Sequence, residues 1–301
     1  MSQQVTTETL FVLLADIAET KTGKKYLRLT VVNENKLKRT VTLFDREDPS
    51  EFQSKVCSLT LMPQEKFQPK VTKYKVLEDA DPSPFYEVSA VNAEEAINYL
   101  KEQTRGNETL AKVVDKVLFE SPGVLERFIQ WPAARKLHHS FKGGLLEHTF
   151  CMAKLAEAAI KYDHATRGVD KDVVMAAIVL HDVAKVIAFD WEFPELASSS
   201  EKGRLLDHIV LGDEMVVRAC YNLGIPTTKG EILHLRHCML AHHGKKEWGS
   251  PVPPCTHEAV LVHHVDLMQS QVEGPAEIIR GLEVGAYQYD KKTESELFRW
   301  R

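Results

Sequence analysis

Residues 173–185, VVMAAIVLHDVAK, decide how this chain is interpreted. The first eight of them are apolar, and the adjacent pair His181-Asp182 follows directly. A carboxylate buried in such surroundings is costly unless it is paired or binds a metal. Imidazole and carboxylate are both ordinary ligands of divalent metal ions. The stretch therefore predicts a helix that carries part of a metal site into a protein core.

The rest of the histidines support a metal site, because all 13 of them lie from His138 onward. Apolar periodicity predicts long helices at about 144–162, 170–188, 204–223, 228–243 and 256–272. Each carries an inward-facing ligand candidate: His148, His181 with Asp182, His208, His242 followed by His243, and Asp266. A single inward histidine is more often a hydrogen-bonded core residue, but such a series is hardest to explain without cations. Nitrogen and oxygen ligands without thiolate favour Mn, Fe, Mg, Co or Ni over structural zinc.

The first 90 residues have a different pattern, with β-branched and alternating segments instead of helical periodicity. Five strand-like stretches, at 10–14, 26–32, 39–44, 58–62 and 70–77, are separated by turn residues. Five strands of this length favour a small closed barrel of the OB type. The predicted class is therefore α+β and multidomain: an OB-like barrel over residues 1–90, then an all-α bundle over 91–301 with its core at about 140–272.

Composition limits the possible partners and compartments. The 301 residues carry a formal net charge of −5, so attraction to nucleic acid requires local basic patches and bound cations. The five cysteines are scattered without a CxxC pair, which favours a reducing, cytoplasmic setting. The sequence has no run of ~18 apolar residues and no signal-peptide pattern at its N-terminus, so we expect no membrane partner. The sequence does not determine whether the protein forms a homo-oligomer.

The candidate ligands other than Asp266 lie in four motifs: HHSFKGGLLEHT (138–149), LHDVAK (180–185), GRLLDHIVLG (203–212) and AHHGKKEWGSPVPP (241–254). Together these motifs resemble the YhaM-type 3′–5′ exoribonucleases of the HD superfamily. The resemblance implies an OB-fold followed by an HD domain. It implies a first metal site at His148, His181, Asp182 and Asp266. Asp182 would bridge to a second ion held by His208 and His242, with His243 as a further neighbour. Lys185 would contact the scissile phosphate or protonate the leaving oxygen, which makes Lys185 and Asp182 the expected catalytic residues.

Candidate substrate-binding residues lie in both predicted domains. Lys245 and Trp248 occupy a loop rich in glycine and proline, where phosphate contact and base stacking compete with a simple role in packing the loop. His139 is a candidate phosphate contact, with capping or support of the metal ligands as the alternative. On the barrel, an aromatic and basic face for single-stranded nucleic acid is predicted, with core packing or an ordinary surface position as the alternative for each residue. The face comprises Tyr26, Arg28, Lys38, Arg39 and Phe44.

These observations predict a metal-dependent 3′–5′ exonuclease that hydrolyses single-stranded RNA, or DNA, to nucleoside 5′-monophosphates. Two divalent ions are expected, with Mn²⁺ as the first candidate, because paired cations activate water and stabilise both oxygens of a phosphodiester displacement. One alternative is a phosphohydrolase that acts on nucleotides or cyclic dinucleotides. A nucleic-acid-binding protein without activity and a di-iron oxygenase are the others.

Overall fold

A computed structural model of the chain describes residues 5–65, 67–135, 139–192, 197–291 and 293–301, so His138 lies outside the described residues. The chain divides into two compact units. The first comprises Met1–Glu87, Glu192–Leu196 and Pro275–Arg301, and the second Val88–Trp191 and Ala197–Gly274. The chain therefore passes from one unit to the other at 87–88, close to the boundary predicted at residue 90. Residues 275–301, expected in the helical domain, group with the first unit instead.

The first unit contains a closed five-stranded barrel in the order β1-β2-β3-β5-β4. Its neighbouring strands are antiparallel except β3 and β5, which pair in parallel where Thr42 meets Lys70. The predicted OB-like barrel is confirmed. Its strands are β1 (Thr6–Glu19), β2 (Lys25–Val32), β3 (Lys38–Phe44), β4 (Lys55–Met62) and β5 (Lys70–Val76).

Alternation along the strands determines which side chains fill the barrel. In β2, Leu27 and Leu29 are fully buried while Arg28 between them is exposed. Successive side chains of a strand point to opposite faces, so Tyr26 and Arg28 share the outer face. The register pairs Tyr26 with Phe44 on β3, which brings the two predicted aromatic residues together.

The second unit is helical and includes the predicted long helices. Its α4 has the predicted bounds, and most of the others begin or end within three residues of them. In chain order the helices are α1 (Ala93–Gln103), α2 (Glu108–Val114), α3 (Pro122–Gln130), α4 (Gly144–Tyr162), α5 (Lys171–Leu180), α6 (Lys185–Ala188), α7 (Glu201–Leu223), α8 (Gly230–Ala241) and α9 (His257–Gly281). The last helix runs on past the predicted 272, to Gly281. Short antiparallel pairs join β6 (Phe189–Asp190) to β7 (Ser198–Ser199) and β8 (Tyr287–Asp290) to β9 (Ser295–Phe298).

The helix predicted over 170–188 is wrong in one respect, because it is broken where the metal-ligand candidates lie. Helix α5 ends at Leu180, a turn follows, and α6 begins at Lys185. The Lys185 amide donates to the Asp182 carbonyl and closes the turn. A continuous helix would separate the side chains of 181 and 182 by about 100°, whereas the turn lets both point into the unit.

Two further observations bear on the sequence-based expectations. Each of the five cysteines is a free thiol. Of the helices in the described ranges, none is long and apolar enough to cross a membrane.

Candidate metal centre

Five elements of the helical unit bring ligand candidates to one buried point. Helices α4, α7 and α9 contribute residues from their interiors, and the C-terminal ends of α5 and α8 contribute the rest. All of these side chains are buried or nearly so, Asp266 least, at 18% exposure. The residues are those predicted from the sequence: His148, His181, Asp182, His208, His242 and Asp266.

Asp182 lies at the middle of this arrangement, and its two oxygens face different imidazoles. Oδ1 is 3.2 Å from Nε2 of His208 and 3.8 Å from Nε2 of His242. Oδ2 is 3.2 Å from Nε2 of His181 and 3.8 Å from Nε2 of His148. A carboxylate with this disposition can serve two cations at once.

The remaining distances define separate groups of ligand atoms around that carboxylate. Nε2 of His148 lies 3.3 Å both from Nε2 of His181 and from Oδ1 of Asp266. In the described ranges, three sets of side chains have ligand atoms within 4.8 Å of one another. They are His148 with His181 and Asp266, His181 with Asp182 and His242, and His208 with His242 and His243.

The hydrogen bonding of the buried atoms fits a metal. Asp182 Oδ1, His208 Nε2 and His242 Nε2 are buried and, within the described residues, lack a hydrogen-bond partner. Such orphaned groups are costly unless something else binds them. Nδ1 of His181 lies 2.7 Å from the Ile178 carbonyl, and His242 repeats this contact three residues after Met239. A proton on each Nδ1 leaves the Nε2 lone pair free toward the centre, as metal ligation requires.

Electrostatics favour ligand-ready forms at several positions. Burial and the neighbouring His243 and His181 hold the pKa of His242 well below its usual value, which keeps this imidazole neutral. Burial alone would raise the pKa of Asp182, but Lys185 and His181 outweigh it and hold the pKa well below the usual range. Burial also opposes charge on His208, yet Asp182 and Asp207 outweigh it and raise the pKa of that imidazole. A bound cation would replace that proton.

Lys185 lies beside the Asp182 carboxylate, and its catalytic role stays a prediction. It is the first residue of α6, and its ammonium donates to Asp182 Oδ2 with only 14% of the side chain exposed. The cation therefore lies at the edge of the ligand cluster, within reach of a group that binds there. The geometry can accommodate either a phosphate contact or support of the Asp182 carboxylate.

His139 is buried, and its ring packs edge-on against His148 with centroids 5.5 Å apart. Its Nδ1 is hydrogen-bonded to a carboxylate oxygen of Glu273, while Nε2 is buried without a hydrogen-bond partner in the described ranges. This environment favours the supporting role over direct exposure to substrate.

The loop after α8 carries the next predicted residues. Lys245 Nζ lies 4.5 Å above the Trp248 ring, which is 45% exposed. The carbonyl of Trp248 also lies 3.0 Å from Nδ1 of His243. The loop therefore presents an aromatic face and a cation from a backbone that is tied to a ligand candidate.

On the barrel, Tyr26 and Phe44 stack with centroids 5.0 Å apart. Lys24 and Lys70 lie over the Phe44 ring at 5.7 and 5.2 Å. Arg28 is exposed and 3.5 Å from an Asp16 oxygen, in a weak surface pair. Tyr26 and Phe44 thus lie together with Lys24 and Lys70, two lysines that the sequence analysis did not single out. A role of this face in binding nucleic acid stays a prediction.

Sequence reasoning also missed two carboxylates that touch the site histidines. Glu273 binds His139, and Asp207 binds His208. Asp207 immediately precedes its partner in the sequence, which is a signal that could have been used. Glu273 lies 134 residues from His139, so no local pattern indicates that pair.

Comparison with known proteins assigns the class of the helical unit. Residues 145–270, which lie within this unit, match the family model of the HD domain. Such a domain implies a divalent metal, and the His and Asp clusters described above fit one.

Among individual proteins, the chain is similar to the 3′-5′ exoribonuclease YhaM of two bacteria. It is 37% identical to the protein of Geobacillus sp. (strain WCH70) over 147 residues, covering 49% of this chain and 43% of the relative. It is 31% identical to the protein of Listeria welshimeri over 215 residues, which cover 70% of this chain and 65% of that relative. The predicted resemblance is confirmed, although the alignments span less than two thirds of either relative. The crystal structure of the L. monocytogenes phosphodiesterase PgpH HD domain matches 53% of this chain and 80% of its own, at 17% identity and a TM-score of 0.33.

Proposed function

We propose that the protein is a metal-dependent 3′–5′ exonuclease that hydrolyses single-stranded RNA, or DNA, to nucleoside 5′-monophosphates. The observation that carries this proposal is the Asp182 carboxylate, because its two oxygens face different buried imidazoles: Oδ2 faces those of His181 and His148, and Oδ1 faces those of His208 and His242. The similarity to exoribonucleases named YhaM supplies the substrate class. Manganese as the native ion, two ions per site and a cytoplasmic location belong to the same proposal.

The proposal assigns the site's side chains to two metal ions and to the scissile phosphate. His148, His181, Asp182 and Asp266 would hold one ion, and Asp182, His208 and His242 the other, with His243 beside the second. When bound, the ions supply a nucleophilic water and stabilise the charge on the phosphoryl oxygens. Lys185 would neutralise charge on the scissile phosphate or donate a proton to the leaving oxygen.

Substrate binding would use the exposed aromatic residues. Trp248, with the Lys245 ammonium above its ring, offers a base-stacking surface in the loop that follows His242. Tyr26 and Phe44 would stack bases on the barrel, where Arg28 and the neighbouring lysines would face the sugar-phosphate backbone. His139 would hold the ring of His148 in place.

The test uses single-stranded RNA and DNA oligomers whose 3′ or 5′ ends are blocked, incubated with Mn²⁺-loaded protein and with chelated protein. Degradation that requires Mn²⁺ and a free 3′ end, with 5′-monophosphates as products, is the expected result. Attack on mononucleotides or cyclic dinucleotides alone would overturn the proposal in favour of the phosphohydrolase alternative. Inertness toward all of these substrates would also contradict it.

A further inference from the structure

Asp207 interrupts α7 in a backbone conformation that residues other than glycine rarely adopt. Its φ is 63° and its ψ 156°, inside a helix that runs from Glu201 to Leu223. This region of backbone space is essentially confined to glycine, and such outliers persist only where the surrounding structure enforces them. We therefore ask which contacts of the Asp207 side chain maintain this strained backbone.

The Asp207 carboxylate contacts a metal-ligand candidate. Its Oδ1 lies 2.6 Å from Nδ1 of His208 and also accepts the Ile209 amide, at 3.2 Å. The ring of His208 is buried, and its Nε2 faces Asp182 Oδ1 at 3.2 Å. Donation from Nδ1 to Asp207 leaves the Nε2 lone pair pointing into the centre.

Comparison with the other ligand histidines explains why a side chain is used. His181 and His242 each contact the backbone carbonyl three residues earlier, at 2.7 Å, through Nδ1. His208 follows directly after the break in α7, so the geometry of an unbroken helix does not place a preceding carbonyl beside its ring. The adjacent carboxylate takes that place.

We propose that Asp207 is a positioning residue for the second metal site, and that its strained backbone is retained because it places the carboxylate on His208. Partners that bind the second nitrogen of a ligating histidine orient the ring and increase metal affinity. The inference rests on the ligand role given to His208 in the proposed function. The competing explanation is a helix cap, since Asp207 also accepts the Ile209 amide.

The experiment measures Mn²⁺ binding by calorimetry and melting in chelator for the full-length protein and its Asp207→Gly, Asp207→Ala and Asp207→Asn variants. Glycine and alanine both remove the carboxylate, so each should weaken the second Mn²⁺ by about 10–100-fold. Glycine alone relieves the backbone, so it should melt about 2–4 °C above alanine. Asparagine retains an acceptor oxygen and should stay within a few-fold of wild-type affinity.

A matched control is Asp45→Gly, because Asp45 also has a positive φ, of 70°. Its carboxylate pairs with the exposed Lys24 rather than with a ligand candidate. The Mn²⁺ affinity of this variant should equal that of the wild type. The inference is overturned if Asp207→Gly and Asp207→Ala bind Mn²⁺ like the wild type. It is also overturned if the Mn²⁺ affinities of the Asp207 variants follow their melting temperatures rather than the presence of an acceptor oxygen at position 207. A role as a helix cap alone predicts that outcome.

A His208→Ala variant separates this inference from the proposed function. If His208→Ala loses the second ion while the Asp207 variants keep it, only the role of Asp207 fails. If His208→Ala keeps wild-type Mn²⁺ stoichiometry and affinity, the ligand role of His208 in the proposed function fails as well.

Discussion

At the scale of single residues, Asp182 is the group on which the metal centre depends. Its Oδ2 lies 3.2 Å from the imidazole of His181, and its Oδ1 lies 3.2 Å from that of His208. The side chain is 3% exposed, so a cation that binds there has little competition from water. Replacement of this carboxylate should affect both groups of ligands at once.

We therefore expect Asp182→Ala to reduce exonuclease turnover to background and to lower the bound Mn²⁺ measured by elemental analysis. Circular dichroism should show an unchanged helical content. The matched control is Asp213→Ala, which removes the α7 carboxylate that pairs with Arg236 on α8 and is not one of the ligand candidates. It should lose stability and keep turnover. Wild-type turnover by Asp182→Ala, purified free of host nucleases, would contradict the assignment.

Lys185 is expected to affect turnover more than metal content, because its ammonium contacts the centre without being a ligand. Lys185→Gln should reduce kcat by ~10²–10³-fold, the size seen when one preorganised charge stabiliser is removed. Bound Mn²⁺ should stay near the wild-type amount. Lys161→Gln on α4, whose ammonium lies over the ring of Tyr162, serves as the control. An unchanged kcat in Lys185→Gln would remove this residue from the mechanism.

At the scale of elements, the turn that follows α8 depends on a glycine. Gly244 has a φ of 82°, and a Cβ placed on it would lie 2.2 Å from Cε1 of His263. That histidine in turn contacts the His242 carbonyl through Nδ1, at 2.8 Å. A side chain at Gly244 would therefore displace the segment that carries His242 and His243.

Gly244→Ala should lower the melting temperature and weaken Mn²⁺ binding. The matched control is Gly168→Ala, since Gly168 has a φ of 84° with no heavy atom within 4 Å of the added Cβ. Both variants bear the cost of a left-handed alanine, roughly 1–2 kcal/mol. Only Gly244→Ala adds the clash with His263, worth roughly 1–3 kcal/mol more. Equal melting temperatures and equal metal affinities for the two variants would be inconsistent with this packing.

The N-terminal ends of α5 and α9 are joined by Glu258. Its Oε1 accepts the Asp170 amide at 2.9 Å, and Oε2 lies 3.0 Å from Nε2 of His234. Burial would raise the pKa of Glu258, but the Asp170 amide and His234 outweigh it and leave the pKa below the usual 4.5. The ionised carboxylate therefore stabilises the fold above that pH, and its contribution is lost as the pH falls through the lower, folded-state value.

Glu258→Gln should accordingly reduce the free energy of unfolding at pH 7 by roughly 1.5–3 kcal/mol, the contribution of a hydrogen bond to a charged group. The difference from the wild type should shrink as the pH falls below about 4.5, the usual pKa of a glutamate. Denaturant unfolding at several pH values measures it. Glu214→Gln, in the exposed pair with Arg218, should change stability little at any pH. A difference for Glu258→Gln that is constant with pH would disprove the charge effect.

At the scale of the whole molecule, the two units have distinct chemical character. The barrel unit offers stacked aromatic rings and lysines, whereas the helical unit holds the buried ligands. Tyr26→Ala and Phe44→Ala should each raise KM for a single-stranded 20-mer by about 5–150-fold, because one base-stacking contact contributes roughly 1–3 kcal/mol. Bound Mn²⁺ and kcat should not change. Tyr162→Ala, an exposed aromatic on α4, is the control, and an unchanged KM for both barrel variants would exclude this face from substrate binding.

Much of the fold could be predicted because local patterns dominate it. The alternation of Leu27, Arg28 and Leu29 placed a strand, and α4 has the predicted bounds because its apolar periodicity runs between the glycine pair and Asp163. The turn at 181–184 was not predicted. Asp182 in this turn contacts the imidazoles of His148, His208 and His242, and a sequence window around the turn does not contain those partners.

The candidate site, like the fold, has features that local sequence predicts and features that depend on distant residues. The identities of His148, His181, Asp182, His208, His242 and Asp266 follow from the sequence, because buried carboxylates and imidazoles on apolar helix faces need cations or partners. Their grouping around the two Asp182 oxygens, the pairing of His139 with Glu273 and the strained backbone of Asp207 follow only from the tertiary structure. Local sequence determines which face of a helix or strand a residue occupies. Distances between residues more than a hundred positions apart are determined by how the helices pack, which is a property of the whole core.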